Sequence, residues 1–366
     1  MSFKLKNFAV IGLISVFVAV FSVCEIISTD KKISISERRP LSQLPELNAE
    51  SLLNGKFMSE FEKYTLDQFP MREKFRSLKA VLSLYGMQKK DNNGIIFSNN
   101  YASKLDYPLN MDSLNYAAER IKYIYEKYLK DSNCKVYFSI IPDKNFFISK
   151  KEKIPVMDYD LLIDTMTTRL DFASYIDIFK TLDISDYFKT DTHWRQDKIE
   201  DTAIFLMKSM DTPYSSEYET ILLDNPFYGV YYGQSALPLK PDELWYIKND
   251  GIEDCFVFDY ETDSYIPVYD MEKAYSSDPY EMFLSGSKSL LTIENISSET
   301  DKELIIFRDS FGSSIAPYFI NSYQKITLVD TRYILPDMIG RFFEIKNSDV
   351  IFLYSTSLLN NSNTLK

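Results

Sequence analysis

The chain has 366 residues, a formal net charge of −12, 45% hydrophobic and 26% charged residues, so it can bury a sizeable core. Its acidic balance argues against a nucleic-acid partner. Glycine numbers only 10, and neither G-x-G-x-x-G nor G-x-x-x-x-G-K occurs, which disfavours phosphate-cradling loops.

In chain order, Lys4 and Lys6 precede an uncharged, mainly apolar run from Phe8 to Cys24. The run has the length of a short membrane crossing, and no small-x-small cleavage site closes it. Val23 sits where a lipoprotein box wants a small residue. Residues 1–28 are therefore expected to form an uncleaved signal anchor, with the rest of the chain outside the cytoplasm. Lys31, Lys32, Arg38 and Arg39 follow the run, so the Lys/Arg count alone does not set its orientation. Residues 29–54, with Pro40 and Pro45, read as a linker. A catalytic domain is expected over 55–366. Cys134 and Cys255 read as buried free thiols, because two cysteines far apart in sequence are no evidence of a bridge.

Phe57, Phe61, Tyr64 and Leu66, then Phe75, Leu78, Val81, Leu82 and Tyr85, fall at helical spacing. Leu114, Ala117, Ile121, Ile124 and Tyr128 predict a helix from Met111 to Lys130, capped by Asp112 or Ser113. Lys135 to Ile141 predicts a buried strand ending at Pro142-Asp143-Lys144. A helix from Leu161 to Asp171, a short strand over Tyr175–Phe179 and a helix from Asp197 to Met210 follow. This alternation predicts an α/β fold with a mostly parallel sheet flanked by helices. Between 226 and 270 short aromatic runs alternate with turns (Phe227–Gly233, Leu244–Ile247, Cys255–Phe258), which predicts an antiparallel β insertion. Strands are expected again at Leu304–Phe307, Ile326–Val329 and Val350–Tyr354, with a helix from Ser313 to Tyr323 despite Pro317.

Two segments carry chemistry. His193 is the single histidine of the chain, in the string Asp191-Thr192-His193-Trp194. Histidine exchanges protons near neutral pH. In an extended stretch positions i and i+2 point the same way, so the Asp191 carboxylate can orient the imidazole. Ser310 follows a strand and opens a helix, at the sheet edge where α/β folds hold ligands and where helix N–H groups can bind an oxyanion. Ser310 alone reads more readily as a helix cap, and a lone histidine as a structural residue. One histidine with scattered carboxylates makes no zinc site, so neither a metal nor another cofactor is expected.

Ile305-Ile306-Phe307-Arg308-Asp309-Ser310-Phe311-Gly312 resembles the Gly-Asp-Ser nucleophile block of SGNH hydrolases, with Arg308 in place of the glycine. Asp191-Thr192-His193-Trp194 resembles the Asp-His-His-Trp block of the DHHW family, which is related to the AlgX and AlgJ alginate O-acetyltransferases. The histidine block precedes the serine here, as in that family. Looser similarity covers Gly55-Lys56-Phe57, residues 67–72, Ile141-Pro142-Asp143-Lys144 and Asp330-Thr331-Arg332-Tyr333. The resemblance implies an SGNH-hydrolase-like fold and a serine acyl-enzyme, with Ser310 as nucleophile, His193 as base and Asp191 orienting it. Trp194, Arg308, Asp309 and Arg332, in or beside these blocks, are the candidate substrate contacts, Arg308 because an arginine there could meet an anionic sugar. It implies a polysaccharide acceptor and a membrane-bound O-acyltransferase as acyl donor. Two other readings remain open at the level of sequence. One is a carbohydrate acetyl esterase using the same triad. The other is a catalytically idle carbohydrate-binding or assembly protein.

Overall fold

The computed structural model describes residues 3–214, 217–298 and 300–366. The chain forms two compact units: residues 1–93 with 232–238, and residues 94–231 with 239–366.

The first unit is helical. α1 (Phe3–Ile27) contains the apolar run, and Lys6–Ile27 is long and apolar enough to cross a membrane. α2 (Ala49–Leu53), α3 (Lys56–Gln68) and α4 (Arg72–Val81) follow. The segment before them is pinned by charge. Arg39 donates to both oxygens of Asp67 at 2.6 and 2.9 Å, and Arg72 pairs with Glu37 at 2.6 Å. The Arg39 guanidinium and the Ser42 N–H hold the Asp67 carboxyl well below the usual carboxylate range.

The second unit is built on an eight-stranded sheet. In chain order its strands begin with the hairpin β1 (Ile95–Ser98) and β2 (Tyr101–Lys104), which lies outside that sheet. Then come β3 (Lys135–Ile141), β4 (Ser174–Tyr175), β5 (Glu219–Leu222), β6 (Trp245–Lys248), β7 (Phe256–Asp259) and β8 (Ser264–Ile266). The last four are β9 (Leu290–Glu294), β10 (Glu303–Arg308), β11 (Lys325–Val329) and β12 (Asp349–Ser355). The large sheet has the order β8-β7-β9-β11-β10-β12-β3-β4. The five strands from β11 to β4 are parallel to their neighbours, and β9, β7 and β8 extend the sheet antiparallel. β5 and β6 form a separate antiparallel pair.

The central strands are buried on both faces and their alternation sorts the core. Leu304, Ile306, Ile326, Leu328, Ile351 and Leu353 join one cluster, and Ile305, Phe307, Val329, Val350 and Phe352 join the other. α5 (Met111–Ile124) and α7 (Tyr159–Arg169) pack Leu114, Ala117, Ile121, Leu162 and Met166 on the second face. Between them lies α6 (Lys144–Ser149). α8 (Glu200–Ser209) packs Ala203, Leu206 and Met207 on the first face.

Several boundaries differ from expectation, each for a local reason. The α5 cap is Asn110, whose side chain accepts from the Ser113 N–H at 3.1 Å, and the residues after Ile124 continue as a π turn to Leu129. The expected helix over Ser313–Tyr323 is α9 (Phe311–Ile315) followed by a 3-10 turn over Ala316–Phe319, with Pro317 in its first turn. Phe227–Gly233 is not a strand: Phe227 bridges Asp242, and Val230–Ser235 is helical. The aromatic run Cys255–Phe258 supplies β7 of the large sheet. Cys134 and Cys255 are half-buried free thiols, as is Cys24.

Candidate active site

Ser310 emerges at the carboxyl end of β10, which has β11 on one side and β12 on the other. Its backbone lies in the right-handed helical region (φ −61°, ψ −23°), and its side chain makes no capping hydrogen bond. The cap is Asp309 instead. One carboxylate oxygen accepts from the Phe311 N–H at 3.0 Å and the other from the Ser355 N–H at 2.9 Å, on the neighbouring β12. This division of labour leaves the Ser310 hydroxyl for other work.

That hydroxyl lies 2.7 Å from His193 Nε2. His193 Nδ1 lies 2.6 Å from Asp191 Oδ1, which also accepts the His193 backbone N–H at 3.1 Å. A carboxylate can only accept, so Nδ1 carries the proton and Nε2 presents its lone pair to the serine O–H. The three residues, predicted from separate parts of the chain, form one continuous hydrogen-bonded line. Asp191 is almost fully buried while His193 and Ser310 are partly exposed. A buried anion beside the ring would stabilise an imidazolium there.

The loop carrying this pair is held from three sides. Asp242 accepts from the Lys189 and Thr190 N–H groups, both at 2.8 Å, and from the Thr190 hydroxyl at 2.6 Å. The Lys144 ammonium, at the start of α6, donates to the Phe188 carbonyl at 2.9 Å and the Asp191 carbonyl at 2.7 Å. Lys144 is fully buried, and that burial pulls its ammonium down to about 7 against the attraction of Asp191, Asp242 and Asp143. On the third side the Val230 N–H donates to Asp191 Oδ2 at 2.8 Å. Gly229 makes that approach possible, because a Cβ there would sit 2.3 Å from the Asp191 Cβ.

Of the residues expected to touch substrate, Trp194 is wholly buried. Its indole N–H donates to the Ser314 hydroxyl at 2.8 Å, and beside it Gln196 donates to the Ser314 carbonyl at 2.7 Å. The Tyr318 hydroxyl donates to the Gln196 carbonyl at 2.7 Å. These bonds lace the histidine segment to the serine helix. Arg308 is also buried, against Gly312, where a Cβ would meet the Arg308 Cβ at 2.6 Å. It lies 3.7 Å from Asp330 and presents no surface to a sugar, and burial lowers its pKa. Asp309 is the buried cap described above. Arg332 keeps some exposure, and Asp330 holds its guanidinium at 2.6 and 2.9 Å.

Tyr280 escapes sequence reasoning. Its ring stacks on the His193 imidazole with centroids 3.8 Å apart and planes 8° from parallel, and its hydroxyl meets Ser314 Oγ at 2.9 Å. Phe311 covers the imidazole at 4.9 Å. No local pattern marks a tyrosine in a 3-10 turn as the partner of a distant histidine. Only the aromatic richness of the chain hints at it.

No family model matches the chain, and no curated protein matches it significantly. Solved structures do. A DHHW family protein from Eubacterium siraeum matches with a TM-score of 0.57 at 20% identity, over 75% of this chain and 97% of that one. Bacillus cereus PatB1, in a structure with a sulfonyl adduct, matches with a TM-score of 0.59 at 18% identity, over 74% and 96%. This chain thus shares its α/β fold with these two proteins across nearly their whole length.

Proposed function

We propose that the chain is a membrane-anchored, extracytoplasmic O-acetyltransferase that carries an acetyl group on Ser310 to a hydroxyl of a cell-surface or exported polysaccharide. The observation that carries the reading is the unbroken line Asp191–His193–Ser310, with hydrogen bonds of 2.6 and 2.7 Å. Ser310 Oγ attacks the carbonyl of an acetyl donor while its proton passes to His193 Nε2. The tetrahedral oxyanion would accept from the Ser310 N–H, since the Phe311, Gly312 and Ser313 N–H groups already donate to Asp309 and Ser310. Collapse expels the leaving group, which takes the proton back from His193. In the second half a sugar hydroxyl gives its proton to His193 and attacks the acetyl-serine, which restores the free serine. Asp191 keeps the imidazole in the reactive tautomer throughout. Chemistry of this kind needs neither metal nor organic cofactor. A membrane-bound O-acyltransferase partner would supply the acetyl group, and the apolar helix α1 holds the enzyme beside it. Arg332, positioned by Asp330 at the end of the strand next to Ser310, is the proposed contact for an acidic sugar.

The test is incubation with an activated acetyl ester followed by intact-mass measurement. A transient acetyl adduct that is absent in Ser310→Ala is expected. With acetylatable oligosaccharides present, label should move to the sugar. Release only to water at every sugar concentration would make the protein an esterase, and no adduct at all in the folded protein would make it a binding protein.

A further inference from the structure

The unit formed by residues 1–93 and 232–238 shows an apolar face to the outside. α4 and the π turn that continues it to Gly86 bury a narrow face of small residues, Ala80 and Ser83. On the opposite side Phe75, Leu78 and Leu82 recur at i, i+3 and i+7, one stripe on a helix, with Met71 at the cap before it and Tyr85 in the π turn after it. Met71, Leu78, Leu82 and Tyr85 are 56, 53, 49 and 67% exposed. A single exposed apolar side chain is ordinary, but a continuous stripe of this length marks an interaction surface.

Two further observations identify the occupant. The first is charge. Residues 72–90 contain Arg72, Lys74, Arg76, Lys79, Lys89 and Lys90 against Glu73 alone, inside a chain of net charge −12. Arg72 and Arg76 are engaged by Glu37 and Glu73, whereas Lys74 and Lys79 stand exposed on either side of the apolar stripe. The second is continuity with α1. Phe21, inside the apolar span Lys6–Ile27, stacks on Phe69 at 5.2 Å and meets Phe75 edge-on at 5.6 Å. Phe75 belongs to the stripe. Phe21 lies six residues before the end of that span, about 9 Å along the helix at 1.5 Å per residue. One end of the stripe therefore sits at the depth of the last turns of the span, within the roughly 5–10 Å that interfacial helices bury in a bilayer.

We infer that α4 and its continuation to Gly86 form an interfacial membrane-binding surface, with Met71, Phe75, Leu78, Leu82 and Tyr85 in the upper acyl region and Lys74 and Lys79 at anionic phospholipid headgroups. The inference rests on reading α1 as a membrane anchor. Its consequence is mechanical: the segment from α1 to α4 lies fixed on the bilayer rather than swinging on a loose tether.

The full-length chain is reconstituted in vesicles of phosphatidylcholine and phosphatidylglycerol that contain a phospholipid with a photoreactive group high in its acyl chain. After irradiation the labelled peptides are mapped by mass spectrometry. Label is expected on α1 and on the 71–85 peptide. The 71–85 label alone should fall several-fold in Leu78→Asp/Leu82→Asp, and also in Lys74→Glu/Lys79→Glu or when phosphatidylglycerol is left out. All four side chains are exposed, so unchanged melting curves are expected. Label on α1 with none on 71–85 overturns the inference and leaves the anchor intact. Protein–protein cross-links at 71–85 in place of lipid label would assign the surface to a second copy or another protein, which also overturns it. No label on α1 refutes the anchor itself.

Discussion

At the scale of single residues, each member of the line carries a separable prediction. Ser310→Ala removes the proposed nucleophile and His193→Ala the proposed base, and each should cost about 10⁴-fold or more in turnover of an activated acetyl ester. Asp191→Asn preserves size but lets the amide donate to Nδ1, which would place the proton on the wrong nitrogen. A loss on the order of 10⁴-fold is expected, and activity equal to the parent would refute the orienting role. Lys144 makes a different kind of prediction. Its ammonium titrates near 7 in the folded protein because of burial, against 10.5 in the unfolded chain. Between those values the unfolded chain binds the extra proton, so stability rises with pH across that window and the cost of the buried charge is fully present below it. In Lys144→Met this contribution is gone. The parent's unfolding free energy minus the variant's should therefore rise with a slope of up to about 1.4 kcal/mol per pH unit between pH 7 and 10.5, read from denaturant curves. A flat difference would mean that Lys144 is not titrating in the fold.

At the scale of elements, the site depends on how loops are tied to the sheet. Trp194 and Gln196 bond to Ser314 on α9, which ties the histidine loop to the serine helix. The 229–231 segment closes the third side, and Gly229→Ala would drive a methyl group into Asp191 and the Thr190 carbonyl. Displacement of Asp191 by about 1 Å is expected to lower kcat roughly 10²-fold while KM changes little. An unchanged kcat would show that the segment yields at no cost. The same elements show what was legible in the sequence. Lys135–Ile141 was readable to the residue, because a β-branched and aromatic run between polar ends has one solution in a sheet buried on both faces. Asp191, His193 and Ser310 could be proposed from the sequence only jointly: the acid two residues before a histidine and the serine between strand and helix each read alone as structural, and their co-occurrence in the order of the resembled family singles them out. The 227–233 run was not, because its aromatic residues read as strand while tertiary contacts decide its shape: Gly229 and Val230 serve Asp191. Tyr280 was illegible for the same reason. Its partner, His193, lies on a distant loop, and aromatic stacking leaves no periodic mark. Arg308, read as a sugar contact beside the nucleophile, instead turns inward between Gly312 and Asp330. Nothing in its neighbours' identities distinguishes inward from outward.

At the scale of the molecule, the three residues of the line all lie in the unit formed by 94–231 and 239–366, whereas α1 lies in the other unit. Chemistry on a small soluble ester should therefore be independent of the anchor. A chain lacking residues 1–27 is expected to hydrolyse such an ester within about twofold of the full chain, because changes in separately packed units usually do not couple. Transfer to polysaccharide in the cell should suffer far more, since an acetyl relay from a membrane partner depends on the high local concentration that anchoring provides. Orientation is the remaining variable. Basic residues lie on both sides of the span, with Lys4 and Lys6 before it and Lys31, Lys32, Arg38 and Arg39 after it, and long domains cross largely regardless of such charges. A protease added to intact, wall-stripped cells should cut the chain beyond residue 28 and leave only a small protected fragment. Full protection until the membrane is opened would place the Asp191–His193–Ser310 line in the cytoplasm, away from any exported glycan, and the acetyltransferase reading would fall even if the serine proved reactive.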